Sequence, residues 1–376
     1  MTPWLIVSGD FSTHGGMDAA NHGLASYLAS HAAEVHLVAH AIAPALASRV
    51  HAHLAPRPFG SHRLGNPLLR AAGRLWARRL SARGGRVVAN GGNLDAGDVA
   101  WVHYVHAAYT PWATSAIHGR WVRACHRRYL REEAAALACA RLVLCNSRRT
   151  AADVRTLLGV PADRLRVVYY GSDAARFGPV TAVERGAARR LLGLDADRPL
   201  ALFAGALGDR RKNFDTVFAA WRELCARPSW DVDLLVAGRG AELPAWQERA
   251  ASALPGRIRF LGFRSDMHLV LAACDVVVHP ARYEAYGLLV HEALCRGLPA
   301  IVSAAAGVAE RYSAELGDFL IEEPESAAAL SKHLLDWRSD SCAASRFAPL
   351  AAALRSSTWD QMGREIVECV DRERAA

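Results

Sequence analysis

Lysine is nearly missing from this chain: Lys212 and Lys332 are the only two among 45 basic residues in a sequence of 376. A lysine at a ligand-facing turn is therefore hard to ascribe to chance. No apolar run approaches the roughly 20 residues that cross a bilayer. The opening Met1-Thr2-Pro3-Trp4-Leu5-Ile6-Val7 has no basic n-region, and its apolar run is too short for a secretory signal, so a cytoplasmic location is expected. The eight cysteines form no CxxC pair, which speaks against a structural zinc and for buried free thiols in a reducing compartment. Zinc-finger, homeodomain and RNA-recognition patterns are absent, so no nucleic-acid partner is expected. No GxGxxG follows the first strand, which disfavours a nicotinamide dehydrogenase. There is no acidic metal-binding motif either, and the expected metal set is empty.

What is present is a globular composition, 52% hydrophobic and 22% charged, on a chain long enough for two domains. Its charge is uneven. Residues 1–178 hold 21 arginines and no lysine against 10 acidic residues, a net of +11 in a chain whose total is +8, which leaves −3 for the rest. A basic first half implies a negative partner, either an anionic membrane surface touched peripherally at the inner face of the cell membrane or a phosphorylated acceptor. Two stretches carry much of that charge. One is a helix expected over Asn66–Arg83, with Arg70, Arg74 and Arg78 at four-residue spacing. The other runs from Arg120 to Arg131 and includes Trp121 and Tyr129. Both could rest on lipid, or equally be solvated faces.

The order of elements is that of an α/β protein with two similar βα halves. Trp4–Ser8 reads as a strand, Asp18–Ser30 as a helix and Val35–Ala39 as a second strand. Between the first two lies Gly15-Gly16, a pair that lets backbone amides approach a ligand or simply makes a tight turn. Further strands are expected at Arg86–Ala89 and at Val99–His106, the latter delivering His103 and His106 to the carboxyl edge of a sheet. Leu142–Ser147 reads as a strand running into a helix capped by Ser147. Periodicity lapses at about 178–197. The expected division is 1–180, 181–355 and a terminal helix over 356–376.

The second half turns on Asp275-Val276-Val277-Val278-His279, a short strand buried on both faces. Pro280 stops it, and a helix is expected from Gly287 to Arg296, ended by Gly297-Leu298-Pro299. The loop between them, Pro280–Tyr286, lies at the edge where open α/β sheets bind ligands. The free amides and positive dipole end at Tyr286, Gly287 and Leu288 make a phosphate site. Glu284 precedes that site and Glu292 follows it inside the helix, among apolar neighbours where an unpaired carboxylate is costly. Two acids around an anion site suit a nucleotide-diphosphate sugar. At another β-to-α turn, after the strand Pro199–Ala204, Arg210, Arg211 and Lys212 are placed to neutralise a diphosphate.

These residues resemble a known family. Glu284 and Glu292 within Glu-Ala-Tyr-Gly-Leu-Leu-Val-His-Glu look like the signature of retaining GT-B glycosyltransferases of family 4. The segment Gly171-Ser172-Asp173 with Phe177 and the Gly205 to Lys212 spacing are also similar. The usual arginine after the glycine is Ala206 here, so either Arg210 or Arg211 must replace it.

The resemblance implies two Rossmann-like domains facing across a cleft, the first binding the acceptor and the second the nucleotide-sugar, with the terminal helix crossing back to the first. It implies metal-free transfer, with retention at the anomeric carbon, to a glycan, a lipid-linked or a small-molecule hydroxyl acceptor. No cofactor is implied beyond the donor. Glu284, Lys212, Arg211 and His103 are the implied catalytic residues. Gly15, Gly16, Asp18, His106, Gly205, Arg210, Phe263, Arg264, Ala285, Tyr286, Gly287, Leu288 and Glu292 are implied to bind substrate, with His14 and Asn21 nearby. Phe263 and Arg264 would flank the base, Glu284 the donor sugar and Glu292 the ribose. A non-catalytic sugar-nucleotide-binding subunit and a GT-B sugar-nucleotide epimerase are the alternatives.

Overall fold

The computed structural model describes residues 2–31, 34–113 and 116–375. The chain divides into two compact units, Met1–Gly171 with Ser357–Ala376, and Ser172–Ser356.

In the first unit the strands are β1 (Trp4–Val7), β2 (Val35–Ala39), β3 (His51–Leu54), β4 (Arg86–Asn90), β5 (Val99–Val102), β6 (Leu142–Cys145) and β7 (Leu165–Val167). They form one sheet in the order β3-β2-β1-β4-β5-β6-β7, every pair parallel. The order reverses at β1, which pairs with both β2 and β4. The interior strands are apolar and covered on both faces, as parallel sheets require, whereas the edge strand β3 is largely exposed. The Gly16–His31 helix packs against the terminal helix Trp359–Ala375, with the Trp359 ring against Gly23. That contact ties the last residues of the chain to the first unit.

The second unit repeats the plan with β8 (Leu200–Ala204), β9 (Asp233–Ala237), β10 (Ile258–Gly262), β11 (Val276–His279), β12 (Ala300–Ser303) and β13 (Leu320–Ile321). The order is β10-β9-β8-β11-β12-β13, again all parallel, with the reversal between β8 and β11. Val276, Val277 and Val278 are fully buried in a core that includes Phe203, Trp221 and Leu294. Gly238, just beyond β9, follows from crowding: a Cβ there would stand 1.9 Å from the carbonyl oxygen of Gly205.

Several expected boundaries shift. The units part at Gly171/Ser172 rather than 180/181, because Phe177 joins the second core and Arg296 donates to the Arg176 carbonyl at 2.9 Å. The terminal segment begins at Ser357 rather than 356. The arginine helix runs His62–Ser81, starting ahead of Asn66 and continuing through Pro67. Strand β5 also stops at Val102, so His103 lies just past its end and His106 opens a short 3-10 turn. Of the cysteines, Cys145, Cys274, Cys295 and Cys369 are buried, while Cys139 and Cys342 are exposed.

Candidate active site

In the second unit two loops leave the sheet beside each other, one after β8 and one after β11. These strands are hydrogen-bonded neighbours, with Leu202 opposite Val277, and the strand order reverses between them. Reversal opens a crevice at the carboxyl edge, because successive crossovers there depart in opposite directions.

The loop after β8 closes into a 3-10 turn, Arg210–Lys212, and then the Phe214–Cys225 helix. Asn213 joins the two at φ +63°, a backbone conformation that asparagine tolerates better than most residues. Its buried amide donates to the carbonyls of Pro280 (2.8 Å) and Pro324 (2.6 Å), and its oxygen accepts from Thr216 (2.7 Å). From the other loop, Arg282 forks onto Asp215 at 3.0 and 2.8 Å, and also donates to the Arg210 carbonyl at 2.8 Å. The two loops are thus bolted together by buried or half-buried polar contacts.

The bolting brings Lys212 to Glu284: Nζ lies 2.6 Å from Oε2, and His279 Nε2 is 2.9 Å from the same oxygen. Gly205 backs the lysine stem, a Cβ on it falling 3.1 Å from Lys212 Cγ. Burial would raise the Glu284 carboxyl, but the charge of Lys212 and the His279 hydrogen bond reverse this and hold it well below the usual carboxylate range. Glu284 is therefore ionised, and among the described residues its Oε1 accepts from none. Gly287 caps the Leu288–Cys295 helix at φ +106°, the region only glycine enters freely. First-turn amides of a helix have no acceptor within it, so this end can receive an anion. Glu292, a turn further along and partly buried, is pushed up to about 8 by burial, with Arg176 opposing.

The other expected donor-side residues divide. Phe263 is 59% exposed and lies beneath the Arg239 guanidinium at 5.0 Å, an open aromatic face beside a cation. Arg264 is held by Asp266 at 2.8 Å. Arg211 is not the bare cation expected: Asp209 grips its side chain at 2.7 and 3.0 Å and accepts from its backbone amide. Arg210 lines a small hollow with Asp215, Glu242 and Trp246. The Tyr286 side chain is buried and bonds His291 at 2.6 Å, and Ala285 is buried too, so any ligand contact from this pair is through backbone. Leu288 is likewise buried.

In the first unit a cavity of about 420 Å³ opens at the other reversal point. Gly9 and Asp10 after β1, Asn90 to Asn93 at the end of β4, and His103 after β5 all line it. Asp18 joins them from the Gly16–His31 helix, His106 from the short turn beyond β5 and Glu133 from the Ala116–Cys139 helix. Gly15 takes φ +82° and Gly16 opens the next helix, but neither lines the cavity, nor does His14 or Asn21; the Asn21 amide donates to the Met17 carbonyl at 2.9 Å. His103 is buried and meets the Tyr170 hydroxyl through Nδ1. Asn146 donates to the same hydroxyl at 3.0 Å. Burial lowers His103 to about 3, so it is neutral, and its Nε2 has no partner among the described residues. Glu133 accepts from the His106 amide with both oxygens, at 3.0 and 3.1 Å, and burial pushes it up to about 7. Asp18 is pushed up to about 6 by burial, then by Asp10, with Arg57 opposing.

Several of the arginines that make residues 1–178 basic are held in internal ties. Arg70 and Arg74 both bind Asp95 (2.8 and 2.7 Å), and Arg83 binds Glu34 (2.8 Å), so the first two points of the expected basic stripe are internal ties. Ligand atoms of Glu34, His36 and His51 lie within 4.8 Å of one another, a metal-like grouping, but Glu34 is already engaged by Arg83 and His36. Sequence reading missed His279, Asn213, Arg282 and Glu133. His279 was legible by the argument applied to His103, since it ends a buried strand. The rest had no local signal, because each acts on a segment far away in the chain.

Two family models cover most of the chain. One, described as glycosyl transferases group 1, matches residues 198–340, and the other, glycosyltransferase family 4, matches residues 14–176. A mannosyltransferase from Corynebacterium glutamicum, named for GDP-mannose and monoacylated phosphatidylinositol monomannoside, is 28% identical over 217 residues, 54% of this chain and 55% of that protein. The chain thus matches about half the length of that relative. Among solved structures, WaaG, a glycosyltransferase involved in lipopolysaccharide biosynthesis, is similar with a TM-score of 0.77 at 18% identity, over 98% of this chain and 99% of that one. HepE from Anabaena, solved with UDP and glucose, gives a TM-score of 0.72 at 18% identity over 99% of each chain. The fold is GT-B. The chain belongs to the family 4 glycosyltransferases. No helix among the described residues is long and apolar enough to cross a membrane.

Proposed function

We propose that this protein transfers a sugar from a nucleotide-diphosphate sugar to a hydroxyl acceptor, with retention and without a metal ion. The observation that carries this reading is the cluster of Lys212, Glu284 and His279 at the reversal point of the second sheet, beside the amide end of the Leu288–Cys295 helix. A diphosphate leaving group accumulates negative charge as the glycosidic bond breaks. Fixed positive groups lower that barrier most when they are in place beforehand. Lys212 and the helix amides are such groups, and Arg211 adds charge if the anion draws it from Asp209. Glu284, kept ionised with Oε1 open, accepts from hydroxyls of the donor sugar. Glu292 accepts from the ribose, and Phe263 with Arg239 offers a face for the base.

The acceptor enters the cavity of the first unit, where His103 Nε2 meets its hydroxyl region. Retention is the stereochemistry expected of the family, with the departing phosphate taking the acceptor proton. A glycan or lipid-linked acceptor agrees with what the corynebacterial relative is named for, and a cytoplasmic site of action agrees with a nucleotide-sugar donor. Peripheral membrane contact has less support, since Arg70 and Arg74 face Asp95.

The test is transfer from a panel of UDP-, GDP- and ADP-sugars, with binding followed by thermal shift, because a ligand of the native state raises Tm by mass action. Lys212→Ala and Glu284→Ala are each expected to cut transfer by about a hundredfold or more with the fold retained. Near-normal turnover in either variant would sink the proposal. Isomerised donor in the absence of any acceptor would indicate an epimerase instead.

A further inference from the structure

We infer that the cavity of the first unit takes a polyol that bears an amino group and no phosphate, an amino sugar or aminocyclitol, as the acceptor. This narrows the transferase reading above and rests on it. The cavity is lined by four carboxylates, Asp10, Asp18, Glu132 and Glu133, and by no arginine or lysine. Two of the four are already matched: Arg57 binds Asp10 at 2.8 Å, and Arg128 binds Glu132 at 2.9 Å. Asp18 has no hydrogen bond or ion pair among the described residues. Glu133, 2% exposed, accepts backbone amides and no cation. An ammonium group against either one supplies the missing charge, and its three donors suit carboxylate oxygens. A phosphate there would meet like charge from Asp18 and Glu133, with Arg57 and Arg128 already spent on the other two carboxylates.

Two further atoms point to a ligand rich in polar groups. His103 is 6% exposed and its Nε2 has no partner, and the Oδ1 atom of Asp10 is buried and equally unpartnered. Buried polar atoms left unsatisfied are costly, and a bound hydroxyl, which can both donate and accept, relieves each. The raised carboxyls of Asp18 and Glu133 agree with an unmet need for positive charge.

Calorimetric titration of the full chain with 2-deoxystreptamine, myo-inositol and myo-inositol 1-phosphate tests this, with UDP and GDP titrated in parallel. The diamine is expected to bind about tenfold or more tighter than myo-inositol, as a charged hydrogen-bonded pair implies, and the phosphate ester weakest. Asp18→Asn and Glu133→Gln, which keep shape and remove charge, should each lower the diamine affinity about tenfold, with nucleotide binding unchanged. The assignment is overturned if the diamine does not bind at millimolar concentration, if the phosphate ester binds as tightly, or if neither variant weakens the diamine. Overturned in that way while UDP or GDP still binds, it leaves the transferase reading standing. Diamine binding with no nucleotide binding would keep the cavity's chemistry and remove the transferase reading.

Discussion

The two sheets share an order about their reversal points, β2-β1-β4-β5 in the first unit and β9-β8-β11-β12 in the second, yet the loops that leave those points carry opposite charge. After β8 and β11 stand Lys212, Arg210, Arg211 and Arg282, with Glu284 drawn onto the lysine, Asp209 onto Arg211 and Asp215 onto Arg282. Around the ends of β1, β4 and β5 stand four carboxylates and neutral His103. The comparison teaches that the backbone fixes where a ligand sits and the side chains fix what it is. Bulk charge misleads here as well: the unit with the arginine-rich sequence has the acidic cavity, with Arg57 and Arg128 drawn onto two of its carboxylates from outside the lining and other arginines tied to Asp95, Glu34 and chain carbonyls. Net charge describes a far field, and a cavity responds to the few groups that line it.

The sharpest way to break this comparison is Lys212→Ala. Turnover should fall by about a hundredfold to a thousandfold, the usual loss for one preorganised electrostatic group, with nucleoside-diphosphate affinity lost and polyol binding in the first unit untouched. Steady-state kinetics and calorimetry on one preparation check it, and equal loss of both ligands would refute separate sites.

Gly238→Ala ranks next. A methyl 1.9 Å from the Gly205 carbonyl, on a residue at φ +152°, forces the β8 and β9 loops apart. A loss of about 2–4 kcal/mol is expected in denaturant unfolding, with the first unit's melting unchanged. Asn213→Ala should cost about 2–3 kcal/mol by leaving the Pro280 and Pro324 carbonyls unpaired. It should also lower kcat more than the same change at Thr216, because it frees the turn that aims Lys212.

The smallest effect is one of pH. Glu292 has a folded pKa of about 8, above its usual carboxylate value of 4.5, so between those two values the folded chain binds more protons than the unfolded one. Its contribution is then fully present below about pH 4.5 and fades as pH rises towards 8. Glu292→Gln should flatten the fall in Tm across this window and become the more stable form at its upper end. Parallel slopes for the two proteins from pH 5 to pH 9 would show that Glu292 titrates normally. If the proposed ribose contact is right, the same variant binds nucleotide more weakly, whereas Asp18→Asn in the first unit does not.

Much of the plan was legible in the order of residues. Three buried valines ending in His279 and Pro280, a glycine that opens a helix, and Glu284 and Glu292 in fixed register specify a strand, a loop and a helix by local rules alone. Lys212 was readable from its place at a β-to-α turn, and Gly205 only through the family resemblance. The grip of Asp209 on Arg211 hid behind an equally local pattern, since a carboxylate two residues away can cap the turn or leave the arginine free with similar sequence cost. Tyr286 read as a ligand-facing residue because only its position was visible; its burial against His291 depends on how the helix rotates onto the sheet.

By itself, then, the sequence determined the periodic elements, the parallel sheets and the loops at their carboxyl ends, because backbone propensity and apolar patterning act over a few residues. The tertiary structure alone decided that Lys212 meets Glu284, that Asn213 and Arg282 fasten their loops together, and that an arginine-rich unit encloses an acidic cavity. Those outcomes join residues far apart in the chain, where electrostatic pairing and burial depend on distances that no local pattern encodes.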